Sequence, residues 1–456
     1  MEFDESILRE ADIRGVYPDQ INAEFAKRLG KVFGTYMQSI DQDYCVVGHD
    51  NRFGGPQLTK NLIEGLLSTG TNVIYVGLCT TPMLNYASRR LKQEYGIMVT
   101  ASHNPKDNNG FKLFGKRYQH CDHKVLDKLY SMLKDKDLKF ALGEGVIEAV
   151  NIEDAYAKSL ADSFDFNNEK TKMKVVVDCG NGTGSIIIRK VYERLPFDVI
   201  YINSDSNPNF PNHHPDPNVK ANLRGLAEAV RRNKAQLGIA YDGDVDRAGF
   251  VDDKGNIVDA DVITAILSKE IIKDAKNKTI LIDVKCSKVC IDEIEANGGT
   301  VLMDTPSSAC EERIIDEQDI PFCGSYSNHF FFRDRHPGYD DGIYTGLRVQ
   351  EMLLKRKKNL STIVNKLSLY YNTEEIKVNV GDDKKWDVVE GFKKYCDDKK
   401  YKYDAVDGVR VYINDGWALV RASNTGPNLT LRFESETKSG LNKIQKEVLN
   451  ELDSLK

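Results

Sequence analysis

Short apolar runs alternate with longer helical stretches along this chain, and that rhythm limits its fold more than any other feature. Residues 44–48 read as a strand, 58–67 as a helix and 73–77 as a strand; a further strand, 96–99, follows the helix that begins near Thr80-Thr81-Pro82. Parallel neighbours need a crossover of a dozen or more residues, so this spacing predicts mostly parallel sheets covered by helices. The pattern restarts at 174–178 and 198–201, and again at 278–283, 299–303 and 330–332, before a helix running from Asp340-Asp341-Gly342 through Leu354. Beyond about residue 368 it changes. There 375–380, 409–413, 417–420 and 429–433 read as strands, and 441–455 as a helix. The predicted class is α/β: three similar mixed-sheet α/β/α domains at 1–150, 151–256 and 257–367, and a smaller C-terminal α+β domain at 368–456.

With 456 residues, 41% of them apolar, the chain can bury several cores. A net charge of -6 argues against nonspecific nucleic-acid binding. No apolar run reaches the length of a membrane span, and Met1-Glu2-Phe3-Asp4-Glu5 lacks a signal-peptide core, so a cytoplasmic protein is expected. The nine cysteines are irregularly spaced without a CxxC, and Cys286 and Cys290 alone do not make a zinc site; reduced thiols are expected. The turn Gly180-Asn181-Gly182-Thr183-Gly184 lacks the order of a dinucleotide fingerprint and reads as a tight strand-to-helix turn.

Two loops carry chemistry. Thr100-Ala101-Ser102-His103-Asn104-Pro105 closes an apolar strand and continues through Lys106 to Phe114 as a flexible, amide-rich loop with two cations. A serine there is fit to be a nucleophile, a phosphate carrier or a metal ligand. The second loop, Tyr241-Asp242-Gly243-Asp244-Val245-Asp246-Arg247, places acids at i, i+2 and i+4, one face of an extended segment. Three converging carboxylates repel unless a hard cation offsets them, and Mg²⁺, which keeps waters or phosphate oxygens, suits so small a ligand set. The twelve-residue EF-hand pattern is absent. A phosphatase with an aspartate nucleophile would carry that residue near the start of the chain, whereas this triad is central.

These loops, their order and separation, the N-terminal Asp12-Ile13-Arg14-Gly15-Val16-Tyr17, the segment Val46-Val47-Gly48-His49-Asp50-Asn51-Arg52 and the C-terminal Arg421-Ala422-Ser423-Asn424-Thr425-Gly426-Pro427 resemble the α-D-phosphohexomutase family over nearly the full chain. Within that family the likeness is to the bacterial phosphomannomutase/phosphoglucomutase branch. The resemblance implies an active site in a cleft between all four domains. It implies that Ser102 carries a phosphate and binds Mg²⁺ together with Asp242, Asp244 and Asp246. It also implies that a hexose phosphate is isomerised between its 1- and 6-phosphates through a hexose bisphosphate, which is activator or intermediate. Arg14, Lys112 and Arg247 would stabilise charge or assist proton transfer, His103 would shape the phosphate site, and His329 would act as acid, base or phosphate contact. Lys285 would orient the sugar, and Arg421, Ser423, Asn424 and Thr425 would hold the second phosphate. Asp50 and Arg52 would form a structural salt network. A monomer is implied, with a weak dimer as the alternative.

The sugar-reading segments depart from the family pattern. In Cys323-Gly324-Ser325-Tyr326-Ser327-Asn328-His329, Ser327 and His329 match, but Ser325 replaces a glutamate and Asn328 a glycine; Ser308 stands where relatives carry a histidine, and Ala11 replaces an aromatic residue. Serine cannot reproduce the bidentate geometry of a carboxylate. Three readings therefore stay open: a phosphomannomutase and/or phosphoglucomutase, a mutase for an amino or otherwise modified sugar phosphate, and a noncatalytic sugar-phosphate-binding or regulatory homologue.

Overall fold

The computed structural model describes residues 3–166, 172–423 and 426–455. Four sheets follow one another along the chain. The first holds β1 (Ile13–Val16), β2 (Tyr44–His49), β3 (Asn72–Leu78), β4 (Tyr95–Val99), β5 (Asn108–Phe114) and β6 (Ile147–Ala149), in the order β1-β5-β4-β2-β3-β6. Strands β4, β2, β3 and β6 are parallel, and β5 returns antiparallel between β1 and β4. The second sheet, of β7 (Lys174–Asp178), β8 (Asp198–Ile202), β9 (Leu237–Tyr241), β10 (Ala248–Asp252) and β11 (Ile257–Val258), runs β11-β10-β9-β7-β8. The third, of β12 (Thr279–Asp283), β13 (Thr300–Asp304), β14 (Phe322–Gly324) and β15 (Phe330–Phe332), runs β13-β12-β14-β15. The fourth is antiparallel and holds β16 (Tyr371–Asn372), β17 (Ile376–Asn379), β18 (Lys402–Asp404), β19 (Val409–Ile413), β20 (Gly416–Ala422) and β21 (Asn428–Ser435). The mixed α/β architecture read from the sequence is the one observed.

Local sequence explains where the helices begin. In helix Ala23–Gln38, the Asn22 side chain accepts from Phe25 N, and Phe25, Leu29, Val32, Phe33, Tyr36 and Met37 form the buried stripe. Asp341 caps helix Gly342–Arg356 by accepting from Tyr344 N at 2.9 Å.

The segment after Pro105 departs from expectation. It is not a flexible loop to residue 114: β5 starts at Asn108, and six of its seven residues are buried. Phe111 and Leu113 join the core containing Ile13 and Phe25. The two-residue period then turns Lys112 to the opposite face, where it reaches the acid loop from a rigid support.

One hydrophobic core runs through the first three sheets, joining Val46 and Leu84 to Val175, Ile239 and Phe250, and on to Ile280, Phe330 and Tyr344. The fourth sheet keeps its own core, with Phe392 and Val448 from its two helices packed on Val411, Val420 and Leu431. It meets the third domain through a small apolar cluster of Val284, Trp417 and Leu419 and a set of buried polar contacts. Arg410 donates to the carbonyls of Val284 and Cys286 at 2.7 and 2.8 Å and stacks on Trp417. Arg432 binds Asp261 at 3.0 Å and the Lys285 carbonyl. Glu434 accepts from Trp417 Nε1 and Lys288 N. All nine cysteines are buried and free, and among the described residues no helix is long and apolar enough to cross a membrane.

Candidate active site

Ser102 lies just beyond the C-terminal end of β4, where a ligand site is expected in an open α/β sheet. Its φ of 49° is left-handed, a conformation that costs a non-glycine residue roughly 1–3 kcal/mol. Surrounding bonds hold it there. Ser102 N donates to Thr100 Oγ1 at 2.8 Å, and Thr100 Oγ1 donates to Asp50 Oδ2 at 2.6 Å. Arg52, fully buried, donates to the carbonyls of Ser102, Asn104, Pro105 and Asn108. Asp50 and Arg52 thus form the scaffold of the serine loop. Arg14 ties to the same loop, donating to Asn104 Oδ1 at 2.8 Å, and pairs with Asp12 at 2.7 Å.

Ser102 Oγ donates to Asp242 Oδ2 at 2.9 Å and lies 3.3 Å from His103 Nδ1. The two loops touch backbone to backbone: a Cβ at Gly243 would meet the Ser102 carbonyl at 2.5 Å, so only glycine permits the approach. The glycine-rich turn of the second domain supports this contact, with Thr183 N donating to the Gly243 carbonyl at 2.9 Å.

The three aspartates converge, though not by strand alternation as the spacing implies. β9 ends at Tyr241, and the acids sit on a tight turn containing Val245 at φ 69°, an outlier for a β-branched residue. The turn curls the carboxylates inward until their ligand atoms lie within 4.8 Å of one another. Lys112 Nζ contacts Asp244 at 2.7 Å and Asp246 at 2.5 Å, and Thr81 Oγ1, at the start of helix Thr81–Leu91, donates to Asp244 at 2.6 Å. Burial opposes ionisation of all three acids. Lys112 together with the Thr81 hydrogen bond at Asp244, and together with His329 and Arg247 at Asp246, outweighs it, and both carboxyls are held below the usual range. At Asp242 burial adds to repulsion by Asp246 and Asp244, and the carboxyl is pushed well above that range. Asp244 Oδ1 and Asp246 Oδ1 are buried without a hydrogen-bond partner among the described residues. Unsatisfied carboxylate oxygens converging in a charged pocket fit a hard divalent cation.

His329 stands beside this group. Its Nδ1 lies 2.7 Å from Asp340 Oδ2 and 4.0 Å from Asp246 Oδ1. Burial, then Arg247, pushes the imidazole down to about 3, and burial with Asp246 pushes Asp340 up, so His329 is neutral beside the triad. Asp340 was visible in the sequence only as part of a helix-start signal. Arg247 N donates to Asp242 Oδ1 at 3.2 Å, and its Nε, 3.9 Å from Asp246 Oδ1, is buried without a hydrogen-bond partner among the described residues.

Asp283, at the end of β12, accepts from Lys285 N at 2.6 Å and Tyr326 N at 2.8 Å, bringing the Lys285 and Ser327 turns together. Lys285 Nζ lies 3.0 Å from both Ser327 Oγ and Glu375 Oε1. Glu375 was missed from sequence because it read as the edge of a strand. Asn328 occupies φ 67°, which asparagine tolerates nearly as glycine does, so its replacement of glycine preserves the turn. Arg421 Nε donates to Asp407 Oδ2 at 2.8 Å, which also accepts from Thr305 Oγ1. Asn424 and Thr425 lie outside the described residues.

Two adjoining lobes, of about 720 and 430 Å³, make one cleft lined from all four domains. His103, Arg247, Ser327, Arg421 and Ser423 face both lobes; Arg14, Ser308, Ser325 and His329 face the larger and Lys285 the smaller. Ser102, Lys112 and the three aspartates are buried and do not line either lobe; Ser102 connects to the lining through its neighbour His103. The other sequence-derived site residues within the described structure gather at the cleft.

Comparison with known proteins agrees with this layout. Residues 5–139, 154–255 and 259–370 match the phosphoglucomutase/phosphomannomutase alpha/beta/alpha domains I, II and III, and 375–451 match the C-terminal domain of the same family. The chain is 37% identical over 441 residues to the phosphomannomutase/phosphoglucomutase of Pseudomonas syringae pv. tomato, covering 97% of this chain and 94% of the relative. It is 30% identical to the phosphomannomutase of Methanocaldococcus jannaschii, covering 97% of each. The crystal structure of a phosphoglucomutase/phosphomannomutase family protein from Burkholderia thailandensis superposes with a TM-score of 0.90 at 30% identity, covering 100% of this chain and 98% of that one. The chain belongs to the phosphoglucomutase/phosphomannomutase family of α-D-phosphohexomutases, isomerases that work by intramolecular phosphoryl transfer.

Proposed function

We propose that this enzyme interconverts hexose 1-phosphates and hexose 6-phosphates through a phosphorylated Ser102, with mannose and glucose phosphates as substrates. The observation that carries the reading is Ser102 Oγ, 2.9 Å from Asp242 in a buried aspartate triad with two unsatisfied oxygens, next to His103 of the cleft that Arg421 and Ser423 enter from the far domain. Asp242, Asp244 and Asp246 would hold Mg²⁺ with an oxygen of the phosphoserine. The bound ion would neutralise the phosphoserine and the charge that develops on the transferred group.

In the first half-reaction a sugar hydroxyl attacks the phosphorus of phospho-Ser102. The P–Oγ bond breaks, a P–O bond to the sugar forms, and the hydroxyl proton passes to His329, whose ring is held by Asp340 at 2.7 Å. The bisphosphorylated sugar then turns end for end. Its other phosphate returns to Ser102 Oγ, and the released sugar oxygen takes back the proton. Arg421 and Ser423, with Asn424 and Thr425 of the same loop, hold the phosphate that is not reacting, and Arg14 and Arg247 stabilise the one that is. A cytoplasmic monomer that binds neither nucleic acid nor membrane completes the reading.

Ser308 and Ser325 favour a second reading, a mutase for an amino or otherwise modified sugar phosphate. The test primes the protein with glucose 1,6-bisphosphate and Mg²⁺, then offers mannose, glucose and N-acetylglucosamine 1-phosphates while phosphate on Ser102 is followed. Turnover of mannose or glucose phosphate upholds the first reading, and turnover of the amino sugar alone transfers the conclusion to the second. No phosphoserine and no turnover across the panel leaves a noncatalytic binding protein.

A further inference from the structure

One carboxyl in this cleft has a buried oxygen that no hydrogen bond satisfies among the described residues. Glu311, in the first turn of helix Ser308–Glu317, lines the larger lobe and is 1% exposed. Its Oε1 is buried with no hydrogen-bond partner among the described residues. Other acids of the lobe are engaged: Asp12 holds Arg14 at 2.7 Å, and Asp216 accepts from Asn218 N at 3.0 Å. Ser325, equally buried in the same lobe, also has an Oγ without a hydrogen-bond partner among the described residues. Burial, with the charge of Asp283, pushes the Glu311 carboxyl well above the usual range, and Lys285 offsets this in part. Orphaned polar atoms of this kind are costly unless a ligand completes them.

The lobe extends from His103 and Arg247 to Arg421, so the middle of a doubly phosphorylated hexose, its ring hydroxyls, falls between two phosphate-holding ends. A carboxyl can accept from two neighbouring hydroxyls, or accept from one while donating to the other. We propose that Glu311 is a specificity-determining residue whose carboxyl binds ring hydroxyls of the hexose phosphate, with Ser325 Oγ as a second contact. This rests on the mutase reading above. It places the ring-reading carboxyl on the helix that follows β13, and makes Ser325 its short partner.

The test compares wild type, Glu311→Gln and Glu311→Ala with glucose 1-phosphate, mannose 1-phosphate and the 2-, 3- and 4-deoxy analogues of the former. Glu311→Ala should lower kcat/KM for the intact sugars by about 10- to 100-fold. For the hydroxyl that Glu311 reads, the deoxy analogue should cost the wild type a similar factor and cost Glu311→Ala nothing further. Ser102 phosphorylation by the bisphosphate should persist, and Glu311→Gln should melt no lower than wild type, which a structural role would not allow. Variants with wild-type kcat/KM, or deoxy losses equal in wild type and Glu311→Ala, overturn the assignment. If wild type turns over no hexose phosphate, the mutase reading has failed on its own. Calorimetry with glucose 1-phosphate then decides: a Kd about tenfold weaker in Glu311→Ala supports Glu311 as the sugar contact. An unchanged Kd, or no binding to wild type, overturns it.

Discussion

At the scale of single residues, conformational cost collects where the chemistry is proposed. Ser102 and Val245 both hold positive φ, and each lies on one of the two loops that meet at Gly243. If Ser102 is the phosphate carrier, Ser102→Ala should remain folded, with its loop still held by Arg52, but lower kcat at least about 1,000-fold. Radiolabel from a hexose bisphosphate should then fail to reach the protein. Lys112 makes a different prediction. It is the buried counter-charge of Asp244 and Asp246, so Lys112→Met removes the ion pair of Asp244 and leaves Asp246 with the longer contact to Arg247 at 3.9 Å. Removing one member of a buried ion pair costs roughly 3–5 kcal/mol. Urea unfolding in metal-free buffer should show a loss of that order, and millimolar Mg²⁺ should stabilise the variant more than the wild type. Equal stability with and without Mg²⁺ in both proteins would count against the triad as a cation site.

At the scale of elements, the helix Ser308–Glu317 is joined to the first domain through a titrating contact. His120 Nδ1 lies 3.1 Å from Glu312 Oε2, and both side chains are buried. Burial lowers the affinity of His120 for a proton, but the hydrogen bond and the charge of Glu312 outweigh it, so the net shift is upward from 6.5. Asp340 reinforces this and Lys112 opposes it, while Arg89 approaches Glu312 Oε1 at 3.8 Å. A raised folded-state value means that the stabilisation is complete below about pH 6.5 and is lost as pH climbs through the higher folded value. Urea midpoints between about pH 5.5 and 8.5 should therefore converge for wild type and His120→Gln as pH rises, and a constant gap would reject the pair as the cause. Such pairings cannot be read from sequence, because they join residues almost two hundred positions apart. What was legible is what local pattern records: the strand runs, the acid triad, and the serine at a strand end. β5 was missed because Asn108, Asn109 and Gly110 carry turn composition, while its strand state comes from pairing with β1 and β4 on both sides. Asp340 and Glu375 were missed because they read as a helix start and a strand edge, and Glu311 because its segment carried no local signal; only the fold brings Glu375 and Glu311 to the cleft and Asp340 to His329.

At the scale of the molecule, the continuous core makes the first three domains one body, while the fourth, with its separate core, is attached largely around the 284–288 turn, with further contacts from Arg432 to Asp261 and from Thr305 to Asp407. That turn also carries Lys285, so the contacts that dock the fourth domain also position a cleft residue. Arg410 is the purest docking residue. It is buried, donates to Val284 and Cys286, stacks 3.7 Å over Trp417, and does not line the cleft. Arg410→Ala leaves two buried carbonyls without a donor and opens space beside Trp417, a loss of about 2 kcal/mol or more at a small interface. The cost falls on docking rather than on either core. Limited proteolysis near residues 368–375 should accelerate in the variant. Its kcat/KM should fall by about tenfold or more, because Arg421 and Ser423 reach the cleft only from the docked domain. The thermal shift produced by Mg²⁺ should be unchanged, since all three aspartates belong to the other body. Unaltered proteolysis together with unaltered kcat/KM would mean that the apolar contact of Val284, Trp417 and Leu419 holds the fourth domain without Arg410.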